Sequence, residues 1–291
     1  PLVFRIPKIQ TIIKYTVLRI RIIFFSLVLI LLSNSAISQS WVESNVLGHP
    51  DAQKDDMYGY GMSQYEDILV VGAPDHEYDI SGGNKIAKAG AVYVYHKSSD
   101  GSTWELSEKL ISPDRVEDAQ FGRAVCVYGD YLFVNSYETV NSSHYAGKIY
   151  IFLRLPHGKY YYVQTLVSRD PQYIENFGLV MAANSGYLFC GTKNDSDDKN
   201  GTNTMPYAGS VTVFKLSSTD SWEFNQKIVP DDRASNMNFG NAVAVTSGGV
   251  LIGAQNYTMT TGDETSTVGK VYYYEYDRLG LPHHGNWNLQ L

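Results

Sequence analysis

Short runs rich in Val, Ile, Tyr and Phe recur along the chain from residue 58 onward, punctuated by Gly, Asn, Asp and Pro. That pattern predicts short strands joined by turns. Nothing after residue 38 keeps a sustained helical periodicity. The runs fall into four segments that align without gaps over their first part, starting at Tyr58-Gly59, Phe121-Gly122, Phe177-Gly178 and Phe239-Gly240. Gly72, Asn135, Gly191 and Gly253 each lie 13 residues after the starting Gly, at the end of an apolar run. After a variable loop a third run begins at Ala89-Gly90, Ala146-Gly147, Ala208-Gly209 and Val268-Gly269, and a fourth covers Trp104 to Leu110, Tyr161 to Leu166, Trp222 to Ile228 and Trp287 onward.

Self-similarity at spacings of 63, 56 and 62 residues marks a repeat architecture. Four antiparallel strands per unit predict an all-β chain of β-propeller blades, whose radial packing leaves only short, protected edges. The starting aromatic is expected to pack between blades, with the adjacent Gly allowing close backbone approach. Phe-Gly at the repeat starts, Val-Gly-Ala-Pro at 71–74 and Ala-Gly-Ala-Val-Tyr-Val-Tyr at 89–95 resemble the FG-GAP repeat of integrin α-chain propellers and of many secreted proteins. The resemblance covers residues 41 to 291 and implies a ring of about seven blades, of which this chain would be a fragment with four. A closed four-bladed ring is the alternative. Trp41 to Leu47 reads as an orphan closing strand belonging to a blade outside the sequence.

Residues 1–38 hold five basic residues and no acid, then an apolar run from Ile22 to Leu32 and small residues up to Ser38. This is a signal-peptide pattern with cleavage expected after Ser38, leaving a propeller domain over 39–291. The rival reading, an uncleaved membrane anchor, needs about 30 Å of apolar helix, and this run gives roughly 16 Å. No Met precedes Met57, so the N-terminus is expected to be incomplete or mis-bounded. Without the leader, 18 basic residues face 30 acids, a net charge of −12. Such a surface argues against nucleic acid as a partner. A content of 44% hydrophobic and 18% charged residues excludes a disordered chain.

Candidate chemistry is sparse. In integrin-like repeats Ca²⁺ often sits in an Asp-rich loop between the Phe-Gly and Gly-Ala-Pro elements. The equivalent links here, Gln64 to Asp67, Val127 to Asp130, Asn184 to Gly186 and Thr246 to Gly249, read as tight turns with too few oxygens for Ca²⁺. No cofactor is therefore assigned. The best remaining oxygen cluster is Asp195, Asp197, Asp198 and Asn200, beside Asn194, although Tyr207 stands where an EF-hand loop places Glu. The loop with Asp75, His76, Glu77 and Asp79 reads as surface. Asp51, Asp114, Asp170 and Asp231 recur seven or eight residues before each repeat start and are expected to bond backbone N–H groups between blades. No hydrolase motif selects a triad, and His283-His284 is the one histidine pair. Cys126 and Cys190 read as buried thiols, with an interblade disulfide as the alternative. Asn141, Asn194, Asn200 and Asn256 open glycosylation sequons in the variable loops.

The expectation is an exported, non-catalytic extracellular binding or adhesion module for a protein or glycan ligand. Loops 74–88, 137–145, 193–207 and 255–267 would carry recognition. Membrane attachment would follow only from an uncleaved leader. The alternative is a secreted hydrolase or the propeller part of one.

Overall fold

The structure, a computed structural model, describes residues 19, 43–138, 140, 146–169, 175–261, 263–276 and 287–289. The signal segment 1–38, apart from Arg19, and the sites Asn141, Asp170 and His283-His284 lie outside the described residues. The chain divides into Pro1–Val46 and Leu47–Leu291, and every strand among the described residues belongs to the second unit. Among the described residues no helix is long and apolar enough to cross a membrane.

The strands form four antiparallel sheets of four, the expected blades. Blade one holds β1 (Met62–Tyr65), β2 (Ile68–Ala73), β3 (Ala91–Lys97) and β4 (Trp104–Leu110). Blade two holds β5 (Val125–Tyr128), β6 (Tyr131–Ser136), β7 (Lys148–Arg154) and β8 (Tyr160–Val167). Blade three holds β9 (Val180–Asn184), β10 (Tyr187–Thr192), β11 (Ser210–Leu216) and β12 (Trp222–Ile228). In blade four, β13 (Phe239–Val245) and β14 (Gly249–Ala254) are followed by a small hairpin, β15 (Thr258–Thr261) and β16 (Glu264–Thr267), then β17 (Lys270–Tyr276) and β18 (Trp287–Leu289). The hairpin fills the variable loop 255–267. The innermost strands β1, β5, β9 and β13 lie side by side in that order.

The middle strands of blades two and three are buried on both faces because a neighbouring blade covers each side, whereas β14 and β17 of blade four leave Leu251 and Val271 exposed. In blade one, alternation sends Val70, Val92 and Val94 toward Phe121, Leu132 and Val134 of blade two. Val71, Ala73, Tyr93 and Tyr95 point the other way, against Tyr58. Similar apolar seams join blade two to three around Phe133, Phe177 and Leu188, and blade three to four around Phe189, Phe239 and Tyr272. The repeat-start aromatics Phe121, Phe177 and Phe239 are fully buried in these seams. Their backbone N–H groups donate to Ala89, Ala146 and Ala208 of the preceding blade at 3.1, 2.8 and 2.9 Å. The glycines beside them, Gly59, Gly122, Gly178 and Gly240, all have φ between +83 and +92°. A register shift recurs at one place in three blades, opposite Val94, Ile151 and Val213, where the fourth strand carries an extra residue, Ser107, Val163 or Asn225, and bends.

Residues 43–49 form no strand; the blade that Trp41 to Leu47 is expected to close lies outside this sequence. Immediately beyond Leu47, polar bonds hold the chain: Tyr95 Oη donates to the Gly48 carbonyl at 3.2 Å, and His49 and Asp51 turn toward the side chains of blade one.

Candidate functional site

In every blade the loop between the second and third strands closes with the same backbone bond. Gly90, Gly147, Gly209 and Gly269 donate N–H to the carbonyls of His76, Glu138, Asp195 and Tyr257 at 2.8, 3.1, 2.8 and 3.1 Å. These four residues are therefore equivalent, although the sequence alignment gives them nothing in common. Three positions after those glycines stand Tyr93, Tyr150, Thr212 and Tyr272. Around this pair of positions each blade builds a station of an acid, a lysine and one or more hydroxyls.

The stations differ in where the lysine comes from. In blade two, Lys148 Nζ donates to Glu138 at 2.8 Å, while Ser136 Oγ and Tyr150 Oη donate to the same carboxylate at 2.6 and 2.9 Å. In blade four, Lys270 and Tyr272 both donate to Asp232, at 2.5 and 2.7 Å. Both lysines follow the loop-closing Gly. Blades one and three instead send Lys109 and Lys227 from the fourth strand, directly across from Tyr93 and Thr212. Lys227 Nζ and Ser210 Oγ each lie 2.5 Å from the Asp195 carboxylate.

Blade one has the densest station. Asp51 accepts from Tyr93 Oη at 2.7 Å and from Lys109 Nζ at 2.5 Å, and meets His49 Nδ1 at 3.2 Å. Burial alone would push the Asp51 carboxyl up, but the bonds from Lys109, Tyr93 and His49 outweigh it and hold the group well below the usual carboxylate range. Lys109 Nζ also lies 2.8 Å from His76 Nε2 and donates to the Asp79 carbonyl at 3.0 Å. On its other side His76 Nδ1 lies 3.0 Å from Asp56 Oδ2, which accepts the Gln53 N–H at 2.6 Å and sits 3.4 Å from His49 Nε2. His49, Asp56 and His76 are all buried, and among the described residues they are the one group of three possible metal ligands whose atoms converge within 4.8 Å.

Two expectations are corrected here. His76 does not lie on the surface; it is fully buried under its own loop. The recurrent aspartates do not chiefly hold backbone N–H groups: Asp51 takes Tyr93 and Lys109, and Asp114 lies 3.4 Å from Tyr150 Oη and 3.9 Å from Lys148. In blade four Asp232, rather than Asp231, bonds the tyrosine and lysine. The reason is electrostatic, since a buried tyrosine hydroxyl and lysine need an acceptor more than solvent-facing turn amides do.

The oxygen cluster of the third blade does not converge. Asp195 is committed to Lys227, Asp197 accepts from Thr204 Oγ1 at 3.0 Å, and Asp198 accepts the N–H groups of Asn200 and Thr202 at 2.8 and 3.1 Å. Asp198 thus caps its own turn. Asn200 and Asn256 are exposed and Asn194 is half-buried. Cys126 and Cys190 are buried free thiols in the seam between blades two and three, and burial pushes Cys126 up to about 12.

Two long loops are pinned from outside. Arg115, in the linker to blade two, donates to the carbonyls of Asn84 and Glu77 at 2.9 and 2.7 Å. Arg233, in the linker to blade four, repeats this on Asn203 and Ser196 at 3.0 and 2.9 Å. Both follow Asp in a Pro-Asp-rich linker, a signal that the sequence reading passed over. Beside the second pinned loop opens a cleft of about 320 Å³, lined by Ser168, Arg169, Lys199, Asn200, Phe224 and Lys227 among others. Arg169 lies over the Phe224 ring, 4.5 Å from its centre.

The profile of the FG-GAP repeat matches residues 41–95, 104–152 and 222–274, more than half of the chain. The unmatched stretch 153–221 contains the first three strands of blade three, whose pairing, seam and loop closure follow the others. No curated protein sequence matches the chain. Among solved structures it is similar to Sqt1 of Saccharomyces cerevisiae, at 9% identity and a TM-score of 0.42, over 80% of this chain and 48% of that one. It is also similar to a putative 6-phosphogluconolactonase from Bacteroides uniformis, at 8% identity and a TM-score of 0.43, over 79% of this chain and 70% of that one. The chain thus spans about half the length of Sqt1, and neither likeness bears on activity.

Proposed function

The chain belongs to the FG-GAP repeat family, and from that premise we propose that it is an exported, non-catalytic recognition module. Its ligand, an extracellular protein or glycan, meets the loops between the second and third strands of the blades. The observation that carries this reading is the pair of arginine clamps, Arg115 on loop 74–88 and Arg233 on loop 193–207. Long loops fixed before binding lose little ordering entropy on binding, which favours recognition. The cleft beside loop 193–207 adds a chemical preference. Arg169 and Lys199 line it on a chain that is acidic overall, so it suits a ligand carrying a carboxylate or sulfate group.

The test replaces residues 193–207 with a Gly/Ser linker and compares the two proteins on immobilised extracellular matrix proteins and on sulfated, sialylated and neutral glycans. The wild type should bind an acidic ligand in a salt-dependent way. The loop variant should lose that binding while keeping its far-ultraviolet circular dichroism. Equal binding by both proteins would remove the assignment.

A further inference from the structure

The geometry points to a mononuclear transition-metal site in blade one, in which His49 Nε2, His76 Nδ1 and the Asp56 carboxylate bind a Zn²⁺-class ion and Asp51 orients both histidines from behind. Two atoms bound tetrahedrally to zinc at about 2.0–2.2 Å lie about 3.4 Å from each other. Asp56 Oδ2 stands 3.0 Å from His76 Nδ1 and 3.4 Å from His49 Nε2, and the three ligand atoms fall within 4.8 Å of one another. Little movement would be needed to admit an ion. All three residues are buried, and this donor set of two imidazoles and one carboxylate is characteristic of zinc sites with an open fourth position.

Two further observations point to a cation. Asp56 Oδ1 is buried and has no hydrogen-bond partner, a costly state for half of a carboxylate. Lys109, the ammonium of the station, bonds Asp51, so the buried Asp56 carboxylate meets only the two imidazoles and the Gln53 N–H. A bound cation would offset the cost of burying that carboxylate.

The outer shell is already in place. Metal-binding histidines usually donate their other N–H to a carboxylate, which fixes the ring and its tautomer. Asp51 offers one oxygen to each ring: Oδ1 lies 3.2 Å from His49 Nδ1 and Oδ2 lies 3.4 Å from His76 Nε2. His76 Nδ1 faces Asp56 at 3.0 Å and Nε2 faces Lys109 Nζ at 2.8 Å. With Nδ1 on the ion, Nε2 would carry the ring proton and turn it to Asp51. Lys109 releases that nitrogen but keeps Asp51 and the Asp79 carbonyl. The ion would tie the segment before the first strand, through His49 and Asp56, to the loop carrying His76.

The test strips the purified chain with a chelator, then titrates it with Zn²⁺ by calorimetry and with Co²⁺ by visible absorption. Expected results are one ion per chain, an intense four-coordinate Co²⁺ spectrum, and a rise in melting temperature with Zn²⁺. His49→Gln and His76→Gln should each weaken binding at least ~100-fold, and Asp51→Asn by roughly 10–100-fold. The double variant Asp197→Asn/Asp198→Asn should bind as the wild type does. Should a histidine variant fail to fold, X-ray absorption on the wild-type zinc complex decides instead: two imidazoles and oxygen in the first shell support the site, and an all-oxygen or sulfur shell overturns it. No saturable binding by the wild type, or unchanged affinity in folded His49→Gln and His76→Gln, would overturn it equally.

Discussion

Gly90 sits where two blades touch through their backbones, and no side chain fits there. A Cβ at this position would lie 2.2 Å from the Phe121 carbonyl oxygen, and the residue has a φ of +83°. Gly209 repeats the arrangement against Phe239. Gly90→Ala must therefore either push the blades apart or break the Phe121-to-Ala89 bond, and its cost should be roughly 3 kcal/mol. Gly48→Ala is the matched control, because Gly48 has open space around it and no left-handed backbone. It should change stability by less than about 0.5 kcal/mol. Urea denaturation of both variants checks the contrast, and equal midpoints would show that the seam tolerates a methyl group. The Ala-Gly pairs were plain in the sequence as a recurring motif. Their reason was not, since the atom that forbids a side chain belongs to the next repeat.

At the scale of one blade, the acid–lysine–hydroxyl station is the unit that varies. Its acids come from the linker before the blade or from the loop after the second strand, and its lysines from either the third or the fourth strand. An in-phase alignment shows a full column only when each copy uses the same position; here Lys148 aligns with Lys270 and Lys109 with Lys227, so the lysines split into two half-columns and no single one marks the station. Blade four shows what a station contributes. Burial pushes the Asp232 carboxyl up, but the bonds from Lys270 and Tyr272 prevail and leave it below its ordinary value. A carboxyl depressed in the folded state adds stability above its unfolded value and loses it as pH falls through the folded one. Lys270 and Asp232 are both partly exposed, so solvent limits the gain to about 1 kcal/mol. Asp232→Asn should therefore be less stable than wild type at pH 7 by up to about that amount. The gap should shrink as pH drops below about 4, the ordinary range of an aspartate. Thermal melts of the two proteins from pH 7 to pH 3 measure this, and a gap that widens with acid would refute the pairing.

Across the whole second unit, stability resides in the seams rather than in the sheets. In blades two and three each apolar face is covered by the adjoining repeat, and in blade one the second face is covered by Tyr58 and His49 of the segment before β1. This explains what the sequence made legible. The strands and their four-fold repetition could be read because middle strands covered on both faces become unbroken runs such as Val70-Val71 and Val92-Tyr93-Val94. The convergence of His49, Asp56 and His76 could not be read, because two of them precede the first strand and the third lies in a loop, with no periodicity to bring them together. The seam argument makes a further claim about Phe177, which is fully buried between blade two, at Phe133 and Ile151, and blade three, at Leu188 and Phe214. Truncating it should leave a cavity on both sides, so Phe177→Ala should cost about 3–5 kcal/mol. In a stack where each unit contacts only its neighbours, that loss is shared by the two flanking blades. Amide hydrogen exchange should then quicken together in β6, β7, β10 and β11, while β2 and β3 of blade one keep their protection. Faster exchange confined to blade three would mean that the aromatic serves its own sheet, and the seam would not be the unit of stability.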